Sequence, residues 1–258
     1  MMPLELVNFR GKQDVHTHTI FCDGKQTPRE MVRAAIEKGL DRIGFSGHAP
    51  MCFDTDWCMT RKGVLQYRAE IEALRRENVD QIEILCGIEQ DLYGVPLTGA
   101  WDYIIGSVHY IKVGERYLAV DESADVLKSA CYECFDGDYI AMAEQYFRSV
   151  EALVDMKPTI VGHIDLIAKF NKNGALFDEN DERYLAAAYR AVDALLPTGA
   201  VFEINTGAIA RGYREVPYPA QPIADYIKKR GGSLVLTGDA HSASTLCYAF
   251  EQWDHLLS

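Results

Sequence analysis

Seven short apolar runs alternate with stretches of helical periodicity, and almost every run ends in histidine, aspartate, glutamate or asparagine. The runs cover residues 14–19, 42–48, 83–89, 102–109, 159–163, 200–205 and 233–241. Between the first two, Thr27-Pro28-Arg29-Glu30 reads as a capping box with proline at the first helical position. Met31, Val32, Ala35 and Ile36 then share one helical face, and Gly39 supplies a stop. Further helices are predicted at 61–77 (Leu65, Arg68, Ile71 and Leu74 at helical spacing), 138–156 (Ile140, Ala143, Phe147, Val150 and Val154 inward), 181–196 and 222–230. Residues 49–60 read as a loop. Residues 110–137 read as a long connection or lid, acidic and irregular, with a short strand at 117–120.

Strands that alternate with helices imply a parallel sheet. A chain of 258 residues that is 48% hydrophobic can build one large core, which fits an α/β barrel folded as a single domain over 1–258. The polar residues fall at the carboxyl ends of the runs, where α/β barrels carry their chemistry.

Charge and cysteine content narrow the function classes. The net charge of −12, with no basic block, argues against nucleic acid as a partner, because phosphate backbones are bound by clustered Lys and Arg. No run approaches a membrane span, and the amino terminus lacks a secretion signal, so a cytoplasmic protein is expected. The seven cysteines are scattered, and the one close pair, Cys131 and Cys134, has no second pair to complete a zinc site. They read as free thiols in a reducing compartment.

The candidate ligands begin with His16 and His18, which fall on one side of an extended strand because side chains alternate with period 2. Two imidazoles so placed form a chelating pair for Zn, Mn or Fe. Asp23, His48, Glu89, His109, His163, Asp239 and His241 follow at or near later strand ends, so six of the seven histidines lie there. His255, near the carboxyl end, reads as structural. Nine donors exceed what one ion takes, since a catalytic zinc has three protein ligands and a water. A cluster of two or three divalent ions fits better.

Taken in order, the H-x-H pair, Ser46-Gly47-His48, Gly87-Ile88-Glu89, Gly106-Ser107-Val108-His109, Gly162-His163-Ile164-Asp165 and Gly238-Asp239-Ala240-His241 resemble the PHP (polymerase and histidinol phosphatase) family. The stretch from Glu203 to Arg211, with Tyr218-Pro219 downstream, is similar to its histidinol-phosphatase branch. The resemblance implies a distorted seven-stranded (β/α) barrel of TIM-like form, with a trinuclear site at the carboxyl ends of the strands. It implies one ion on His16, His18, Glu89 and Asp239. A second would sit on Asp23, His48 and His241, and a third on Glu89 (bridging), His109 and His163. The family often has histidine where this chain has Asp23, and a carboxylate there favours Mn or Fe over zinc alone.

The implied activity is hydrolysis of L-histidinol phosphate in histidine biosynthesis, with a metal-bridging hydroxide attacking phosphorus. Three divalent ions bring about +6 and three carboxylates return about −3, so an acidic protein can still hold a phosphate dianion. Asp239 or His241 is expected to protonate the leaving oxygen. Arg211 is the leading phosphate clamp, with Arg214 and Lys169 as weaker candidates. Asp165 or Glu203 could meet the substrate ammonium, or could orient a ligand histidine. The alternatives are a PHP-fold phosphoesterase acting on another small phosphoester, such as a nucleotide, or a non-catalytic metal-binding module.

Overall fold

Hydrogen bonding sorts the strands into two all-parallel sheets and one hairpin in the computed structural model, which describes residues 3–257. A short helix α1 (Pro3–Val7) precedes β1 (Gln13–Asp14); α2 (Pro28–Glu37), β2 (Arg42–Phe45), α3 (Arg61–Glu77) and β3 (Glu83–Cys86) follow. β1, β2 and β3 form the first sheet in that order. Past Gly87 come β4 (Ile88–Asp91) and β5 (Ile104–Ser107), then β6 (Tyr110–Val113), β7 (Arg116–Ala119), α4 (Ala124–Phe135) and α5 (Tyr139–Glu151). The chain finishes with β8 (Ile160–Val161), α6 (Glu182–Leu195), β9 (Val201–Asn205), α7 (Gly207–Ala210), α8 (Gln221–Lys229), β10 (Leu234–Thr237) and α9 (Phe250–Trp253). The second sheet runs β10-β9-β8-β5-β4, all parallel. Isolated parallel bridges join Thr17 to Ala240 and His48 to Glu89.

Local chemistry explains the helix ends. Thr27 Oγ1 accepts the Glu30 N–H at 3.2 Å while Glu30 Oε2 accepts the Thr27 N–H at 2.8 Å, so two orphan donors are satisfied reciprocally. Gly39, at φ +68°, turns the chain out of α2.

An interior cluster gathers Val15, Leu85, Tyr103, Ile105, Ile160, Val201 and Val235, with Leu6 of α1 packed against it. Tyr103 sits where the third predicted strand breaks. Its hydroxyl donates to the Val15 carbonyl at 2.6 Å, and its ring lies so close to Gly87 that a Cβ there would come within 2.5 Å of Cε1. β3 and β4 therefore part at Gly87 and pair with different neighbours. Two larger apolar clusters fill the space under the helices, one around Phe45, Tyr67 and Ile71 and the other around Phe147, Tyr184 and Phe202. Burying each such side chain contributes roughly 1.5–3 kcal/mol.

Three expectations are corrected. The ladders are shorter than the apolar runs, so His16 and His18 stand past the end of β1, and His48 stands past the end of β2, joined to Glu89 by an isolated bridge. Residues 110–137 are not an irregular connection: β6 and β7 form an antiparallel hairpin across Gly114-Glu115, and α4 follows directly. Leu65 faces out at 69% exposure, because α3 buries Val64 and Tyr67 instead. Among the described residues, no helix is long and apolar enough to cross a membrane.

Candidate metal centre

The centre is built from residues just beyond the strand ends. Asp14 is fully buried and accepts the backbone N–H groups of Gly238 (2.9 Å) and Cys247 (3.0 Å), which ties the end of β1 to the segment after β10. Period-2 alternation then places His16 and His18 beside it, and neither ring has any exposure. Glu89, from β4, lies in the middle. Its Oε2 is 3.2 Å from His16 Nε2, 3.0 Å from His48 Nδ1 and 3.5 Å from His18 Nε2. Its Oε1 is 3.1 Å from His163 Nε2 and 3.5 Å from His109 Nε2. One carboxylate thus meets five histidines.

Two further carboxylates complete the cluster. Asp239 Oδ1 lies 3.2 Å from His18 Nε2, 3.4 Å from His241 Nδ1 and 3.7 Å from His16 Nε2. Asp23 Oδ2 is 3.0 Å from His241 Nε2, and its Oδ1 is 3.6 Å from His18 Nδ1 and 3.7 Å from His48 Nε2. All nine residues expected from the sequence are brought together. Three groups have donor atoms close enough to share one ion: His18, Asp23, His48 and His241; His16, His18 and Asp239; and His48, Glu89 and His109. His18 and His48 each serve two groups, so the sets overlap more than the family-based partition implies.

These residues fit divalent cations. Two ligands of a tetrahedral ion with bonds near 2.1 Å stand roughly 3.4 Å apart, which matches the spacings here. His18 Nε2 is buried with no hydrogen-bond partner, although it faces Asp239 and Glu89. Burial, together with the neighbouring His241 and His48, pushes the His18 pKa down to about 3, so the ring is a neutral donor. Burial would raise the carboxyl of Glu89, but His48 and His16 hold it well below the usual range. His18 and Glu89 are thereby in the state in which an imidazole and a carboxylate bind metal.

A ring of supporting groups orients the donors, and sequence reading located it only in part. Glu203 accepts from His16 Nδ1 (2.8 Å), the His163 N–H (2.5 Å), Asn205 Nδ2 (2.8 Å) and Thr237 Oγ1 (2.8 Å). It is buried behind His16, so it cannot meet a substrate ammonium. Asp165 is equally enclosed and accepts the Ala220 N–H at 2.9 Å. Asp91 was not foreseen; its Oδ2 lies 3.1 Å from His109 Nδ1 and accepts the His109 N–H at 2.8 Å. The available signal was its spacing, two residues past Glu89 on the same strand face.

A cavity of about 260 Å³ opens over the cluster, and Arg211, Lys169, Trp57, Tyr110, Asp121 and His241 line part of its wall. Arg211 Nη2 donates to Asp239 Oδ2 at 2.8 Å, and its Nη1 is 3.0 Å from His241 Nδ1. Lys169, a weaker clamp candidate in the sequence, lines the wall and donates to the Asp121 carbonyl at 2.7 Å. Arg214, the other weaker clamp candidate, does not line the cavity: it is 4% exposed and lies outside it. Trp57, in a loop, and Tyr110, at the start of β6, were missed because a lone aromatic carries no sequence signal for a cavity wall. His255 stays apart from the site, with Nδ1 3.0 Å from the Gln252 carbonyl.

The PHP domain model matches residues 14–207. The chain is 32% identical to "Probable histidinol-phosphatase" of Deinococcus radiodurans over 93% of this chain and 90% of that one. It is 30% identical to "Histidinol-phosphatase" of Bacillus subtilis over 93% of this chain and 97% of that one. It shares the fold of the histidinol phosphate phosphatase (HISK) from Lactococcus lactis, solved with Zn, L-histidinol and phosphate, at a TM-score of 0.71 and 23% identity, covering 95% of this chain and 92% of that one. With this match over most of its length, the chain belongs to the PHP domain family.

Proposed function

We propose that the protein is a metal-dependent phosphomonoesterase that hydrolyses L-histidinol phosphate to L-histidinol and phosphate. The observation that carries this is Glu89 meeting five histidines on the floor of a cavity whose wall presents Arg211. The names and ligands of the two relatives and the structural neighbour support it. The three overlapping donor groups support two to three ions of Mn, Fe or Zn. His16, His18, Glu89 and Asp239 would hold one ion, Asp23, His48 and His241 a second, and Glu89, His109 and His163 a third. Divalent ions held there supply Lewis acidity and an acidified water.

The protein's own residues do the rest. Arg211, oriented by Asp239 and His241, offers a planar fork to the non-bridging phosphoryl oxygens, and Lys169 adds a second positive charge. Asp239 and His241 border the same cavity, and in this reading one of them protonates the leaving oxygen. Glu203 and Asp91 hold the His16 and His109 rings in place.

The same reading takes the strands as a distorted seven-stranded barrel, with β3 and β4 as one interrupted strand. The Thr17–Ala240 and His48–Glu89 bridges and the interior cluster support it. It also takes the whole chain as one catalytic domain, since Asp239 and His241 lie past residue 207 yet close on the same cluster. The free cysteines favour the reducing cytoplasm.

The test is phosphate release by Mn-loaded protein from L-histidinol phosphate and from a panel of other phosphomonoesters. Histidinol phosphate is expected to react fastest. Preference for a nucleotide would overturn the substrate, and full activity after metal removal would overturn the mechanism.

A further inference from the structure

Arg214 is buried yet bonded to two segments that reach the cavity from different sides. Its Nη1 donates to the Ala168 carbonyl at 2.7 Å and to Glu179 Oε1 at 3.2 Å, while Nη2 donates to Glu179 Oε2 at 2.9 Å. Its Cζ lies 5.1 Å from the centre of the Tyr218 ring. Ala168 immediately precedes Lys169, which lines the cavity and whose Nζ donates to the Asp121 carbonyl. On the other side, the Arg214 N–H reaches the Ala208 carbonyl of α7, and α7 leads directly into Arg211. The guanidinium thus holds the backbone next to Lys169, while the backbone N–H of the same residue holds the turn that leads into Arg211, so the Arg214 side chain ties the second segment to the first.

Those segments need an external brace. Residues 166–168 form a single 3-10 turn, and α7 has only four residues. Neither has a ladder or a run of helical bonds to set its distance from the other. The Asn205–Tyr218 bridge and the Asp165–Ala220 bond pin the base of the loop after β9, and at its tip Tyr213 packs edge-on to Phe170 beside Lys169, so Arg214 adds the hydrogen-bonded link between the two segments. Glu179 is itself held, accepting from Asn171 Nδ2 at 3.0 Å, so Arg214 anchors to a fixed partner.

We propose that Arg214 is a positioning residue that keeps Arg211 and Lys169 in register for the oxygens of one phosphoryl group; this rests on the reading that the cavity takes a phosphate monoester. Lysine cannot replace it, because a single ammonium lacks the planar fork that spans Ala168 and Glu179 together.

The test compares Arg214→Lys and Glu179→Gln with wild type, all Mn-loaded. KM for p-nitrophenyl phosphate and calorimetric binding of inorganic phosphate are measured together with metal content. Arg214→Lys should weaken both KM and phosphate binding about tenfold, with kcat and metal content little changed. Glu179→Gln should shift them the same way by a smaller factor. In a background carrying both Arg211→Ala and Lys169→Ala, Arg214→Lys should add less than about twofold, because both groups it positions are then gone. Wild-type KM and phosphate affinity in Arg214→Lys, full additivity in that double background, or loss of metal would each overturn the proposal. If Arg214→Lys does not fold, wild-type values in Glu179→Gln overturn it. A wild-type protein that turns over no monoester would remove the functional reading, while phosphate binding would still report on Arg214.

Discussion

The floor of the site and its wall are built differently. The floor takes most of its donors from residues at or near the ends of parallel strands; all but Asp23 and His241 are buried, and Glu89 lies within about one ligand-to-ligand distance of five of the histidines. The wall takes its side chains from loops, the β6–β7 hairpin and short 3-10 turns, and its polar groups bond mainly to one another or to backbone. A rigid floor suits metal binding, which needs fixed distances. A wall of irregular segments suits substrate choice, which a few loop residues can change while the donors below stay in place.

Three substitutions test that division, in order of expected effect. Glu89→Gln should lower kcat by about a thousandfold and release bound metal, read by turnover and elemental analysis. A variant that keeps both would show that the floor is not organised around that carboxylate. Arg211→Ala should lower kcat/KM by about a hundredfold while metal content stays at the wild-type level. Loss of metal in this variant would erase the boundary between wall and floor. Glu203→Gln, behind His16, should weaken metal affinity by about tenfold, measured by chelator competition, with KM unchanged in metal excess. A raised KM under those conditions would return Glu203 to the substrate.

The same division governs what could be read from the chain. The floor was legible because strand alternation and strand-end position are both periodic signals: His16 and His18 two apart, and histidines closing successive apolar runs. Asp14 and Asp91 carry the same two-residue spacing, from His16 and Glu89, and could have been included. The wall had no such signal. Lys169, Trp57 and Tyr110 reach the cavity only because distant segments fold over it, and Arg214 is drawn inside by Glu179, 35 residues earlier in sequence. The hairpin at 110–119 had a usable cue in its two-residue Gly114-Glu115 turn, with Gly114 at φ +60°. The break in the third strand had none, because it depends on Tyr103 arriving from the next strand.

That tyrosine has a mechanical consequence. Its ring rests against Gly44 of the first sheet and against Gly87, the joint where the chain passes to the second, and its hydroxyl is fixed to the carbonyl of Val15, one residue before His16. The two leaves of the molecule thus bear on one aromatic ring. A methyl group added at either glycine would push on both leaves at once, and through Val15 the load would arrive at the first metal ligand.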